Sequence, residues 1–196
     1  LVFVASSAGP AVEDALSEDG VRTSVAATSV LARQIAAGAP ADLLVSAHPT
    51  WSAWVPEQVN TRSVMPLWTN ALVVIGMDGA TLDGDGCIAM GDPDHVPIGL
   101  YAKAALVQSG RWPAMASRIV ALPDAPAAVA AVSSGACPAG IAYASDALRA
   151  SVTVGEVLST AVQYDLLVFS EDGEALAARL LGPAGTAAAL AHGLTP

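Results

Sequence analysis

The chain has 196 residues and a formal net charge of −10, with 54% hydrophobic and 13% charged residues. That charge excludes a binder of phosphate backbones, which needs clustered Lys and Arg. No apolar run approaches the ~20 residues of a membrane-spanning helix, and no basic amphipathic helix points to a membrane surface.

The length suits one large domain or two small lobes, each with its own core. There is no start methionine and no signal peptide, which decides nothing about a leader or lipid anchor removed earlier.

Strand and helix signals alternate along the chain. Residues 1–5 read as a buried strand and 11–16 as a short helix led by Pro10. Residues 21–26 read as a strand, and 29–37 as a helix stopped by Gly38. Residues 42–47, with Leu43-Leu44-Val45, fit a parallel strand covered on both faces. A helix over 50–55, a strand over 71–76 and a Gly/Asp turn region over 78–86 follow.

The second series has a strand at 88–91, a helix at 99–109, a strand at 119–121 and a helix at 125–133 stopped by Gly135. Residues 139–143 read as a strand, 145–149 as a helical turn, and 163–169 as a strand. Residues 174–181 and 184–192 read as helices. Such alternation predicts an α/β fold with mainly parallel sheets, in two lobes whose crossovers lie near 71–76 and 163–169.

Cys87 and Cys137 each precede an apolar strand-like run. They read as two small buried hydrophobes, or as one disulfide joining the starts of adjacent strands in an oxidising compartment. Their spacing makes no metal motif.

In open α/β sheets, ligands sit beyond the C-terminal strand ends, where loops lead into helix starts. Those places hold Ser6-Ser7, Thr28-Ser29, the stretch from Gly91 to Gly99, Asp124-Ala125-Pro126 and Ala144-Ser145-Asp146. None carries Lys or Arg. Helix starts have unsatisfied amides and partial positive charge, so they hold anions without a countercharge. A small oxyanion would take hydroxyls and amides from Ser7 and Thr28, amides from Ile98 and Ala125, and the phenol hydroxyl of Tyr143. The same residues also serve as ordinary N-caps, and Tyr143 as a core residue.

Three blocks bear on that choice. They are Ala32-Arg33-Gln34-Ile35 with Gly38-Ala39-Pro40-Ala41-Asp42 and Ser46-Ala47, then Gly91-Asp92-Pro93-Asp94-His95-Val96-Pro97 with Gly99 and Tyr101-Ala102-Lys103, and last Pro138, Gly140-Ile141, Tyr143 and Ser145-Asp146. Together they resemble the periplasmic molybdate-binding proteins of ABC transporters, the ModA family. The resemblance implies a two-lobed periplasmic-binding-protein-like fold, with two mixed, mainly parallel sheets, a hinge and a central cleft. Lobe I would take 1–73 and 165–196, and lobe II 74–164.

Carried over, the family's ligands fall on Ser7, Thr28, Ile98, Ala125 and Tyr143. Thr28 stands where serine is usual, Ile98 where alanine is frequent, and Ala125 where a larger apolar residue is. The implied function is extracytoplasmic capture of molybdate or tungstate and delivery to the membrane permease of an ABC importer. No cofactor, no catalysis, no nucleic acid and a monomer are expected. The alternatives are a binder of another tetrahedral oxyanion, a ligand-sensing regulatory domain, and a small-metabolite enzyme using the same cleft.

Other motifs carry less. Asp83-Gly84-Asp85-Gly86 lacks the third ligand and the late Glu of a calcium loop. His48, His95 and His192 form no zinc pattern. Asp92 and Asp94 are expected to fix their loop by accepting backbone hydrogen bonds.

Overall fold

The structure, a computed structural model, describes residues 1–77 and 80–196, without the side chains of 159–161. Part of the expected 78–86 turn region therefore lies outside the described residues. In chain order the elements are β1 (Val2–Ala5), α1 (Gly9–Ala15), β2 (Thr23–Ala26), α2 (Thr28–Ala36), β3 (Leu43–Ser46), α3 (Pro49–Gln58), β4 (Ser63–Gly76), β5 (Ile88–Gly91), α4 (Pro97–Gln108) and α5 (Trp112–Met115). A 3-10 turn (Ala116–Arg118), β6 (Ile119–Leu122), α6 (Ala125–Ser133), β7 (Ala139–Tyr143), α7 (Ala144–Ala150), β8 (Thr153–Val168), α8 (Glu171–Leu181) and α9 (Pro183–Ala191) follow.

The chain forms two compact units, Leu1–Thr69 with Gln163–Pro196, and Asn70–Val162. In the first, β1 pairs in parallel with β2 and β3, and β3 pairs antiparallel with the end of β8. Every residue of β1 and β3 is buried, as expected of strands covered on both faces. The helix α2 buries Thr28, Leu31, Ala32 and Ile35, the spacing of one helical face. That face meets Phe3, Leu44 and Leu167 of the sheet and Trp51 and Val55 of α3 in one core cluster. Gly38 ends the helix region at φ 94°, a backbone state that only glycine adopts without strain.

In the second unit, β5 pairs in parallel with β6 and β7, and β7 pairs antiparallel with the end of β4. Val73, Ile75 and Ala142 of the sheet pack with Ala128, Val129 and Val132 of α6. Small side chains let this helix approach closely. Val132 would lie 2.9 Å from a Cβ added at Gly140.

The structure corrects four expectations. Hydrogen-bonded neighbours run β2-β1-β3-β8-β4-β7-β5-β6. The two expected sheets are thus one connected run through β8 and β4, strands to which both units contribute residues. β4 begins at Ser63 rather than 71, and β8 at Thr153 rather than 163. Residues 63–66 alternate in exposure and residues 153–157 are exposed, and these stretches carry Pro66, Gly155 and Glu156, so no continuous apolar run marks them. The short helix α5 and the 3-10 turn were not expected.

Finally, Cys87 and Cys137 are not free hydrophobes: they form a disulfide. The parallel register Ile88↔Ala139 brings the starts of β5 and β7 side by side, leaving the two Cα atoms 5.2 Å apart. The bridge closes a loop of sequence separation 50, and chain-entropy loss in the unfolded state makes such a closure worth about 4 kcal/mol. The double variant Cys87→Ala/Cys137→Ala is expected to lose unfolding free energy of that order in urea titration, and added reductant to reproduce the loss in the parent chain.

Candidate functional site

Parallel pairing aligns the C-terminal ends of β1, β2 and β3, through Ala5↔Ala26 and Val4↔Val45. Three chain segments therefore leave one edge of the first unit. After β1 the chain turns tightly, with Ser6 N–H donating to the Ala26 carbonyl (3.0 Å) and Ala8 N–H to the Ala5 carbonyl (2.8 Å). This turn carries Ser7 inward, where it is 5% exposed. Its hydroxyl oxygen lies 2.7 Å from the Tyr164 hydroxyl of β8.

After β2, Thr28 is the first residue of α2, and no side chain caps that helix. Thr28 is fully buried, and its hydroxyl accepts the Ala47 amide at 3.1 Å. Ala47 follows β3, so this bond ties the segment after β2 to the segment after β3, as the Ser6–Ala26 bond ties the segment after β1 to the end of β2. Ser46 and Ala47 belong to the blocks that carry the family resemblance, which implies no role for them. Their signal was a small pair at the end of a buried strand. Tyr164 gave no signal, because only pairing with β3 brings it there.

His48 closes this edge as the N-cap of α3, its Nδ1 accepting the Thr50 amide at 3.1 Å. Burial holds its pKa down to about 4, against an opposing pull from Asp165. Beneath it, the buried Ser52 hydroxyl donates to Ser46 Oγ at 3.0 Å.

The second unit repeats the arrangement. Gly91↔Leu122 and Ala89↔Gly140 align β5, β6 and β7, so Ile98, Ala125 and Tyr143 follow or end strands that finish at one edge. The loop after β5 is tied by Asp92, as expected. Its carboxylate accepts the amides of Asp94 (2.8 Å) and His95 (3.1 Å), and the Asp94 bond leads the causes that hold its pKa below the usual carboxylate range. The loop packs onto the first turn of α4 so closely that a Cβ on Gly99 would lie 2.0 Å from the Asp92 carbonyl oxygen. Gly99 is required there by close approach.

Ile98 is 1% exposed in that first turn, behind Pro97, and no side chain caps α4. In α6 the Asp124 carboxylate accepts the Ala127 amide at 2.9 Å, and Pro126 has no amide. The Ala125 amide is left as the helix-start donor that this cap does not consume. Tyr143 is 2% exposed and is the N-cap residue of α7.

Next to it, Asn70 donates to the buried Ser145 hydroxyl at 2.8 Å. Asp146, 2% exposed, pairs with Arg149. Burial pushes its pKa up to about 6 despite that partner. Asp146 and Arg149 also line a cavity of about 250 Å³ with Val129 and Ala130. None of the five candidate ligand residues lines it.

A sequence profile described as bacterial extracellular solute-binding protein matches residues 2–195. The chain belongs to that family. This solute-binding protein is 37% identical over 169 residues to the molybdate-binding protein ModA of Escherichia coli K12, covering 75% of this chain and 66% of the relative. It is 33% identical over 139 residues to ModA of Haemophilus influenzae, covering 63% of this chain and 55% of the relative. The chain thus matches somewhat less than two thirds of the length of these relatives. The Azotobacter vinelandii periplasmic molybdate-binding protein shares its fold, with a TM-score of 0.80 at 20% identity and coverage of 100% of this chain and 98% of the other. The solute-binding protein accordingly has the two-lobed α/β fold of periplasmic binding proteins. No helix of the described residues is long and apolar enough to cross a membrane.

His48 and Asp146 give the solute-binding protein opposed pH dependences. The depressed His48 pKa makes stability fall as pH drops from about 6.5 to about 4, because the unfolded chain binds the proton first. The raised Asp146 pKa makes stability fall as pH rises from about 4 to about 6. Unfolding free energy of Asp146→Asn is therefore expected to rise steadily between pH 4 and 6.5. That of His48→Asn, which keeps an N-cap side chain, is expected to decline over pH 4 to 6. Urea titrations at half-unit pH steps read both slopes.

Proposed function

We propose that this solute-binding protein captures molybdate or tungstate outside the cytoplasm and hands it, as a monomer, to the membrane permease of an ABC importer. The 37% identity to the E. coli molybdate-binding protein carries the reading. The disulfide supports an oxidising compartment.

In this reading the hydroxyls of Ser7, Thr28 and Tyr143 and the amides of Ile98 and Ala125 donate to the oxygens of one tetrahedral dianion. Each is a neutral donor, so charge comes from the ligand alone. A hydrogen bond to a charged acceptor contributes about 1.5–3 kcal/mol, and several of them replace the hydration shell.

No bond of the ligand is broken, and no acid–base pair or nucleophile is called for. Sulfate has the same charge and shape with shorter bonds. Discrimination therefore rests on the spacing of donors fixed by backbone, such as the loop that Asp92 ties and Gly99 lets close onto α4.

Calorimetric titration with molybdate, tungstate, sulfate and phosphate in turn tests the ligand. Molybdate and tungstate are expected to bind, with sulfate and phosphate far weaker. Flat traces for the first two reject the assignment. Tyr143→Phe is expected to weaken molybdate binding about 10- to 100-fold, the equivalent of one charged hydrogen bond, with an unchanged ligand-free melting temperature. Wild-type affinity in that variant removes Tyr143 from the ligand set.

A further inference from the structure

A serine or threonine hydroxyl has one proton and two acceptor lone pairs. A fully deprotonated oxyanion only accepts. A hydroxyl that binds such an ion must therefore spend its single proton on it, and any second partner must be a donor. Thr28 meets this condition whatever is bound, because its buried hydroxyl accepts the Ala47 amide at 3.1 Å and an amide cannot reverse roles. Among the described residues, the partner of the Ser7 hydroxyl is a phenol rather than an amide. The Ser7 hydroxyl lies 2.7 Å from that of Tyr164, where either atom can be the donor.

We propose that Tyr164 is a positioning residue for the oxyanion. Its phenol proton is given to Ser7 Oγ, which turns the Ser7 proton toward the ligand. The inference rests on Ser7 being a ligand residue, as proposed above.

Three observations support it. Tyr164 is fully buried and Ser7 only 5% exposed, so bulk water does not compete for the bond. Tyr164 is held in place by the antiparallel pairing of β8 with β3, where its neighbour Asp165 stands opposite Ser46 at the strand end that leads to Ala47. The same logic already operates at Thr28 with a backbone donor. With the anion bound, donation runs in one direction, from the tyrosine to the serine to the ligand, and each bond polarises the next. Without the anion the pair can reverse, so ligand binding itself selects the direction.

A double-mutant cycle tests this by calorimetry with molybdate, using the parent chain, Ser7→Ala, Tyr164→Phe and the double variant, each checked by ligand-free melting. Ser7→Ala is expected to weaken binding at least tenfold. Tyr164→Phe should weaken it about three- to tenfold, and the double variant no further than Ser7→Ala alone. A tyrosine that merely supports packing would lower affinity equally in both backgrounds, so losses that multiply in the double variant overturn the proposal.

Parent-like affinity in Tyr164→Phe, with Ser7→Ala impaired, overturns the positioning role and leaves the ligand reading standing. Parent-like affinity in Ser7→Ala overturns the ligand reading of Ser7 itself. The double variant removes both hydroxyls of the Ser7–Tyr164 pair together, so neither is left facing a missing partner in that contact. It keeps the Ser7→Ala comparison available if Tyr164→Phe alone fails to fold.

Discussion

Parallel strand pairing is the constraint on which the rest depends. Strands that run together also end together, so the segments that leave them crowd along one edge of each unit. Ser7, Thr28 and Ala47 are separated by up to 40 residues in sequence. They leave the sheet at one edge because Ala5, Ala26 and Val45 belong to three paired strands. The second unit reaches the same outcome with Gly91, Leu122 and Tyr143. Each edge is then lined by first turns of helices, whose leading amides have no partner within their own helix.

An acidic chain could not bind the proposed anion through overall charge. What remains is local. Hydroxyls and amides, buried and pre-oriented by the backbone, offer partial positive charge where water is excluded. The surroundings of the candidate ligands show how orientation is imposed. The amide of Ala47 meets Thr28, and a phenol meets Ser7. The Asp124 cap takes the Ala127 amide and leaves that of Ala125, and Asp92 ties its loop through two amides. The Asp92 and Asp124 carboxylates accept backbone amides, and Asp146 pairs through Oδ1 with Arg149.

The disulfide lies at the other end of the same strands. Cys87 precedes β5 and Cys137 precedes β7, whereas Ile98 and Tyr143 follow or terminate them. The bridge fixes the register of two parallel strands at their starts, away from the C-terminal edge that carries the proposed ligand donors.

Much of this was legible in the chain itself. Leu43-Leu44-Val45 announced a doubly covered strand. Gly38 announced a helix stop, and the stretch from Gly91 to Gly99 announced a loop leading into a helix start. Local sequence determines such features because they depend on φ/ψ limits, side-chain volume and apolar periodicity within a few residues. The tertiary structure alone decided that Cys87 bonds Cys137, that β4 and β8 extend through exposed, polar stretches, and that Tyr164 and Ala47 stand behind Ser7 and Thr28. Each of these rests on strand pairing between distant segments, and a hydrogen-bond ladder is indifferent to the side chains that a periodicity argument reads.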